Sequence, residues 1–394
     1  MEKYIYFDHN ATTPVLPEVA KEINRCFIRF YGNASEPHRP GREAADILDR
    51  SRQTVADALG ASPREIVFTS GGTESDNLAV LGTAEAYSKK GNHIISSEIE
   101  HPAVHMSLKK LSRKGFRITR IGVDSKGMVD PDDIKKAITK ETILVSIMHA
   151  NNIVGTIQPI EEIGKFLREK GIIFHTDAVQ SFCSTNTKVD DLNVDLLSIS
   201  GHKIYGPKGV GALYIRKGTR VMPQLLGGGH EQGMRSSTEN IPGIAGLSKA
   251  TAIGQKDISA KAKKVSKLRD RIKDFILNNI EDVIFNGHPS LRLPGNCNIS
   301  FKYIEGEAIV LRLDSEGIAV SSGSACSSSS MKPSHTLVSM GLSAEDSHGS
   351  LRVTPGFENT IEEADYFLQV LPGIISDLRK ISPLYGNKPD RKKS

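Results

Sequence analysis

Between residues 65 and 216, short β-branched and apolar runs alternate with longer helical patterns. No other feature of the sequence narrows the fold as far. The runs are EIVFTS (65–70), NHIISSE (92–98), RITRIGV (117–123), TILVSIMHA (142–150), GIIFHTDA (171–178), VDLLSIS (194–200) and VGALYIR (210–216). Helical periodicity lies between several of them, from about Thr73 to Ser88 and again in IEEIGKFLREKG (160–171). Near-continuous apolar strands alternating with helices predict an α/β fold with a mostly parallel sheet covered on both faces. Ligand sites in such sheets form at the carboxyl ends of the strands.

From Ile258 the rhythm changes. A long amphipathic helix is expected over ISAKAKKVSKLRDRIKDFILNNI (258–280). Sparser strands follow in CNISF (297–301), IAVSS (318–322) and LRVTP (351–355), with helices at about 305–314 and 361–379. This pattern fits a smaller α+β domain reached through a helical bridge.

Composition restricts the function classes. The chain has 51 basic and 46 acidic residues, a net charge of +5, with no basic stripe interleaved with aromatics, so no direct nucleic-acid binding is expected. Its densest basic knot is the terminal KPDRKKS. Four cysteines (Cys26, Cys183, Cys297, Cys326) in 394 residues argue against a disulfide scaffold and for a reducing compartment. No CxxC or HExxH pattern occurs, so no metal site is expected. The opening MEKYIYFDHNATTP has no apolar leader core, and no run of about 18 apolar residues occurs; we expect a cytoplasmic protein without membrane contact.

Several residues at strand ends carry chemical potential. In SISGHKIYGPKGVG (198–211), Lys203 follows an apolar strand within a glycine-rich turn, a setting in which an amine can form a Schiff base with a carbonyl cofactor. Pyridoxal phosphate is the commonest such cofactor. Its ring nitrogen needs a carboxylate and its phosphate needs a helix start. Asp177 in FHTDAVQ closes a buried strand, where an acid is costly unless a cation pairs with it. TSGGTESDN (69–77) places Gly71, Gly72 and Thr73 at the start of a helix, an anion seat built from exposed N–H groups. His101 in SEIEHPAV can lie over an aromatic ring or serve as an acid/base. It can equally cap a helix. Cys326 stands in SSGSACSSSS (321–330), among small polar residues that do not bury a thiol.

The order DHNATTP, TSGGTESDN, EIEHPAV, MHANNIVGTIQPI, HTDAVQS, SGHKIYGPKGVGALYIR, GGGHEQGMRSSTEN and SSGSACSSSSMKPSH closely resembles that of the cysteine desulfurases, in their NifS/IscS branch, over residues 4–380. The resemblance implies a class-V aminotransferase relative of pyridoxal-phosphate fold type I. It implies a large domain (14–257) with a mostly parallel seven-stranded sheet between helices. A smaller α+β domain (1–13 and 258–394) would carry the cysteine loop at about 322–334. It further implies a homodimer that converts L-cysteine to L-alanine and leaves the sulfur on the enzyme as a persulfide.

By motif, Lys203 resembles the Schiff-base lysine, His101 the ring-stacking histidine and Asp177 the ring-nitrogen partner. Asn152 and Gln180 correspond to groups near the ring oxygen and substrate. Gly72, Thr73, Ser200 and His202 correspond to phosphate contacts, and Thr238 to one supplied by the other subunit. Arg352, in HGSLRVTPG, corresponds to the arginine that grips the substrate carboxylate, a task suited to a bidentate guanidinium. Cys326 corresponds to the persulfide-forming nucleophile, on the longer loop that marks this branch. An arm of small residues suits a thiol that works both in the pocket and at an acceptor, where it would contact a partner's cluster only transiently. The remaining cysteines read as structural. The resemblance also implies an iron–sulfur scaffold protein (IscU/NifU-like) as sulfur acceptor.

Three positions depart from the family pattern. Ile153 stands where an acid is usual, YGNASEPH replaces an asparagine-proline-serine-serine stretch, and Ser237 replaces a glycine. A selenocysteine lyase or small aminotransferase on the same fold, and a cofactor-free sulfur carrier, are the alternatives. Cys326 separates the desulfurase from a transaminase. The set Lys203, Asp177, His101 and Cys326 separates it from a carrier.

Overall fold

The computed structural model describes residues 4–323 and 333–386. A short strand, β1 (Ile5–Tyr6), precedes the main sheet. The expected runs then form β2 (Ile66–Thr69), β3 (His93–Ser97), β4 (Arg117–Ile121), β5 (Thr142–Ser146), β6 (Ile173–Asp177), β7 (Leu196–Ser200) and β8 (Gly211–Ile215). They make one seven-stranded sheet in the order β2-β8-β7-β6-β5-β3-β4. Only β8 runs antiparallel to its neighbours. Strands β5 and β7 are buried along their whole length, which is why their sequences lack hydrophobic-polar alternation. The core on this sheet draws Phe68, Val145, Phe174 and Leu197 together with Val55 and Leu247 from flanking helices.

A second core gathers Ile5 and Phe7 with Leu268, Phe301, Ile318, Leu351 and Phe367. Around it lie β9 (Val283–Asn286), β10 (Cys297–Phe301), β11 (Ile318–Ala319), β12 (Ser321–Ser322) and β13 (Ser350–Val353). The long helix spans Ile258–Asn279, and the last long helix spans Ile361–Ile381, opened by a reciprocal Thr360–Glu363 cap.

The run 318–322, expected as one strand, is divided. Its first half, β11, pairs parallel with β1, and its second half, β12, pairs antiparallel with β13. Nothing local announces the division, because the partner of the first half comes from the other end of the chain. The parallel bridge between Asp8 and Thr354 continues the same crossing, drawing the N-terminal segment to the end of β13. No helix among the described residues is long and apolar enough to cross a membrane.

Candidate active site

Strands β2, β6 and β7 point the same way, and their register aligns their carboxyl ends. Thr69 and Ser200 both lie opposite Gly211, and Asp177 lies opposite Ser198. Gly211 has no room for a side chain: a Cβ there would sit 2.8 Å from the Cα of Gly71. The absence of a side chain at Gly211 thus lets the turn into the helix Gly72–Tyr87 close tightly over the sheet edge. Gly71 itself has φ +149°, a conformation that favours glycine.

A cavity of about 570 Å³ opens at this edge. Gly72, Thr73, His101, Asn152, Asp177, Gln180, Ser200, His202, Lys203 and Arg352 all line it. Residues scattered over 280 positions of sequence thus share one wall. Thr238 does not; it is exposed on the segment after the 3-10 turn Glu231–Gly233. Cys326 lies outside the described residues. Just beyond its segment, the Nε2 of His335 donates to the carbonyl of Glu100, the residue before His101, at 3.1 Å.

Lys203 ends the 3-10 turn Gly201–Lys203 that follows β7. Its amine donates to the carbonyls of Asn10 at 2.5 Å and Ala11 at 2.8 Å. Asp177 is 5% exposed and accepts from the N–H of Val179 at 2.9 Å. Burial pushes its carboxyl above the usual range, while His101 and Lys203 pull it back. His101 is the N-cap of the helix Pro102–Arg113, its Nδ1 accepting from the N–H of Ala103 at 3.2 Å. That bond leaves the proton of the neutral ring on Nε2. Burial, opposed by Asp177, holds its pKa low. His101 thus caps a helix and also lines the cavity. The imidazole of His202 is pushed down to about 4, first by burial and then by Lys203 and Lys208.

Two features test whether a phosphate-bearing pyridine fits. At one end, the helix Gly72–Tyr87 has no side-chain cap, and the buried Ser200 Oγ has no hydrogen-bond partner among the described residues. An anion there would satisfy both the hydroxyl and the first N–H groups of the helix. At the other end, buried Asp177 needs a cation, which a protonated ring nitrogen supplies. The residues fit the group.

Sequence reasoning missed several groups here. Asp76, 1% exposed and one helical turn past Thr73, has its Oδ1 3.6 Å from the His175 Nε2. Burial and the neighbouring Asp177 push its carboxyl well up. Glu100 is fully buried and accepts from Ser97 Oγ at 2.5 Å and the Met148 N–H at 2.9 Å. Its carboxyl is pushed up to about 8, chiefly by burial. TSGGTESDN and EIEHPAV contain both acids, but only the tertiary structure reveals that they are buried. The carbonyls of Asn10 and Ala11 have no side-chain signature at all.

Three departures from the family pattern find their settings. Ile153 is 4% exposed and packs with Val154, Leu337 and Met340, so the position serves an apolar contact beside Asn152. Ser237 has φ +112°, where glycine is favoured. In YGNASEPH, Asn33 Oδ1 accepts from the N–H of Ser35 and forms a local turn.

A lysine, a buried acid and an uncapped helix start at the carboxyl edge of this sheet define a pyridoxal-phosphate-dependent enzyme of fold type I. The family model for class-V aminotransferases matches residues 5–367. The cysteine desulfurase IscS of Dictyoglomus turgidum is 50% identical over 97% of both chains. That of Methanosarcina thermophila is 49% identical over 97% of this chain and 94% of its own. The chain belongs to the cysteine desulfurases of the class-V aminotransferase family. A solved NifS-like protein superposes with a TM-score of 0.90 at 38% identity, covering 95% of this chain and 100% of its own. A structure described as SspA in complex with cysteine gives 0.80 at 36% identity, over 90% of this chain and 100% of that one.

Proposed function

We propose that the protein converts L-cysteine to L-alanine and passes the sulfur, through a persulfide on Cys326, to an acceptor for iron–sulfur cluster assembly. The observation that carries this reading is the meeting of Lys203, Asp177, His101 and Arg352 in one cavity. Bound there, pyridoxal phosphate supplies an aldehyde for an amine and a protonated ring that draws electrons from the substrate's α-carbon.

The chain's own residues do the rest. Lys203 would hold the cofactor through its amine and carry protons at Nζ. Asp177 keeps the ring nitrogen protonated. Gly72, Thr73, Ser200 and His202 would hold the phosphate, and Thr238 from a second copy would complete that set. His101 would help hold the ring and could offer a proton from Nε2. Asn152 and Gln180 orient the ring oxygen and the substrate, and Arg352 takes the substrate carboxylate. The Cys326 thiolate attacks the substrate sulfur and the carbon–sulfur bond breaks. The balance is one L-cysteine and one enzyme thiol giving one L-alanine and one enzyme persulfide.

Burial pushes the Cys183 thiol up to about 12 and the Cys297 thiol up to about 11, which keeps both from acting as nucleophiles at neutral pH. The proposal includes a homodimer, supported by the exposure of Leu226 (82%) and Leu225 (45%) on the segment that leads to Thr238. It includes a division into units 14–257 and 1–13 with 258–394, supported by the two separate cores. A cytoplasmic location is supported by the low cysteine content. The test is an assay of purified protein with L-cysteine and a thiol reductant. Alanine and sulfide should appear in equal amounts; absence of alanine would overturn the proposal.

A further inference from the structure

The motif DHNATTP has no role in the chemistry above, yet its residues touch half of the cavity residues named there. The carbonyl of Asn10 accepts from Lys203 and, at 2.9 Å, from Gln180. Its Nδ2 donates to the carbonyl of Asn152 at 3.2 Å. Thr12 Oγ1 lies 3.1 Å from the His202 Nδ1. Asp8 reaches furthest: its Oδ1 accepts from the Arg352 Nη2 at 2.8 Å.

Arg352 is 1% exposed, so the direction of its guanidinium is decided by its partners. Nη2 donates to Asp8 and Nη1 donates to the carbonyl of Asn152 at 3.2 Å. Nε has no partner among the described residues. A planar guanidinium held at both Nη corners has a fixed plane and offers its Nε–H to a carboxylate. Asp8 is itself fixed. It bridges Thr354 beside β13, and its carbonyl accepts from Tyr6 Oη at 3.1 Å and the Ala11 N–H at 3.0 Å. Asp8 does not line the cavity.

We propose that Asp8 is a positioning residue: its carboxylate clamps Arg352 so that the Nε side of the guanidinium meets the carboxylate of an incoming α-amino acid. This rests on Arg352 being the substrate's anchor. Asp8 acts only through Arg352, and only on substrates that carry a carboxylate.

The test uses the cofactor-loaded enzyme. Asp8→Ala should raise KM for L-cysteine about tenfold, the weight of one charge-assisted hydrogen bond, with kcat changed less than about threefold. Asp8→Asn, whose amide oxygen still accepts from Nη2, should restore KM to within about threefold of wild type. Cysteamine, an aminothiol with no carboxylate, should bind all these proteins with equal affinity, read from the visible absorption of the bound cofactor. If Asp8→Ala folds poorly, Asp8→Ser gives the same reading, because its hydroxyl falls short of Nη2. An unchanged KM in the folded variant, or an equal loss of cysteamine affinity, overturns the inference. Failure of the broader reading looks different: the wild type itself would make no alanine from L-cysteine.

Discussion

The amine of Lys203 is held by the backbone carbonyls of Asn10 and Ala11, from the far end of the chain. Neutral carbonyls accept from an ammonium without pairing its charge, so they fix the amine's aim. The sheet positions the lysine and the N-terminal segment orients it.

Replacing Lys203 with Ala should therefore abolish covalent attachment of the cofactor. Borohydride should fix pyridoxal phosphate to the wild type and leave none on the variant. Alanine formation should fall by about 10³-fold or more, because both the anchor and a proton carrier are lost. Full activity in this variant would overturn the assignment of the site.

Glu100 gives a pH signature in the cofactor-free protein. Its folded carboxyl titrates at about 8 against an ordinary 4.5. Between those values unfolding releases its proton, so its contribution to stability is full below about 4.5 and is lost as pH rises through 8. Buried His149 and His175, held down at about 4 and about 3, act in the opposite sense as pH rises toward 6.5. The difference between proteins isolates the acid. Glu100→Gln should melt with a flatter dependence between about pH 6.5 and 8, where the histidine contributions have levelled off, gaining most over the wild type at about pH 8. Parallel melting curves would show that Glu100 ionises as an exposed acid does.

The sheet was legible because each buried strand announces itself as a short apolar run, and its cavity because Lys203, Asp177 and the Gly71–Gly72 turn lie directly at strand ends. Long-range relationships were not. The splitting of 318–322 depends on β1, and the hold on Lys203 depends on carbonyls that any residue type would supply. Asp8 showed the residue type for gripping an arginine, but its pairing with Arg352 spans 344 positions, and no local pattern reports it.

Ser237 predicts a gain. Its φ of +112° costs a residue with a Cβ on the order of 1 kcal/mol. Ser237→Gly should recover part of that, less the added chain entropy of glycine, and raise the melting temperature by a degree or more. A lowered melting temperature would mean that the serine side chain compensates for its backbone.

A buried ion pair steadies the same segment. Both Glu231 oxygens take Arg52, at 2.6 and 2.7 Å, and one also accepts from the Phe68 N–H at 2.8 Å. Glu231→Ala leaves Arg52 buried without its carboxylate, a loss of about 3 kcal/mol. Chemical denaturation should show it as a lower midpoint with unchanged slope. A shift below about 1 kcal/mol would mean that water reaches Arg52 and takes the place of the carboxylate.

Cys326 tests the division of labour between binding and sulfur transfer. If, as proposed, cofactor attachment uses Lys203 and substrate capture uses Arg352, Cys326→Ser should retain the wild-type absorption spectrum and its response to L-cysteine. A serine hydroxyl is not ionised near neutral pH and cannot accept the sulfur, so alanine formation should fall by about 10²-fold or more. Mass spectrometry of wild-type protein treated with L-cysteine should find one extra sulfur on the peptide containing Cys326. The thiols of Cys183 and Cys297 are pushed up to about 12 and about 11 and should stay unmodified. The extra sulfur on either of those cysteines, or full turnover in the serine variant, would show that the sulfur leaves by another route.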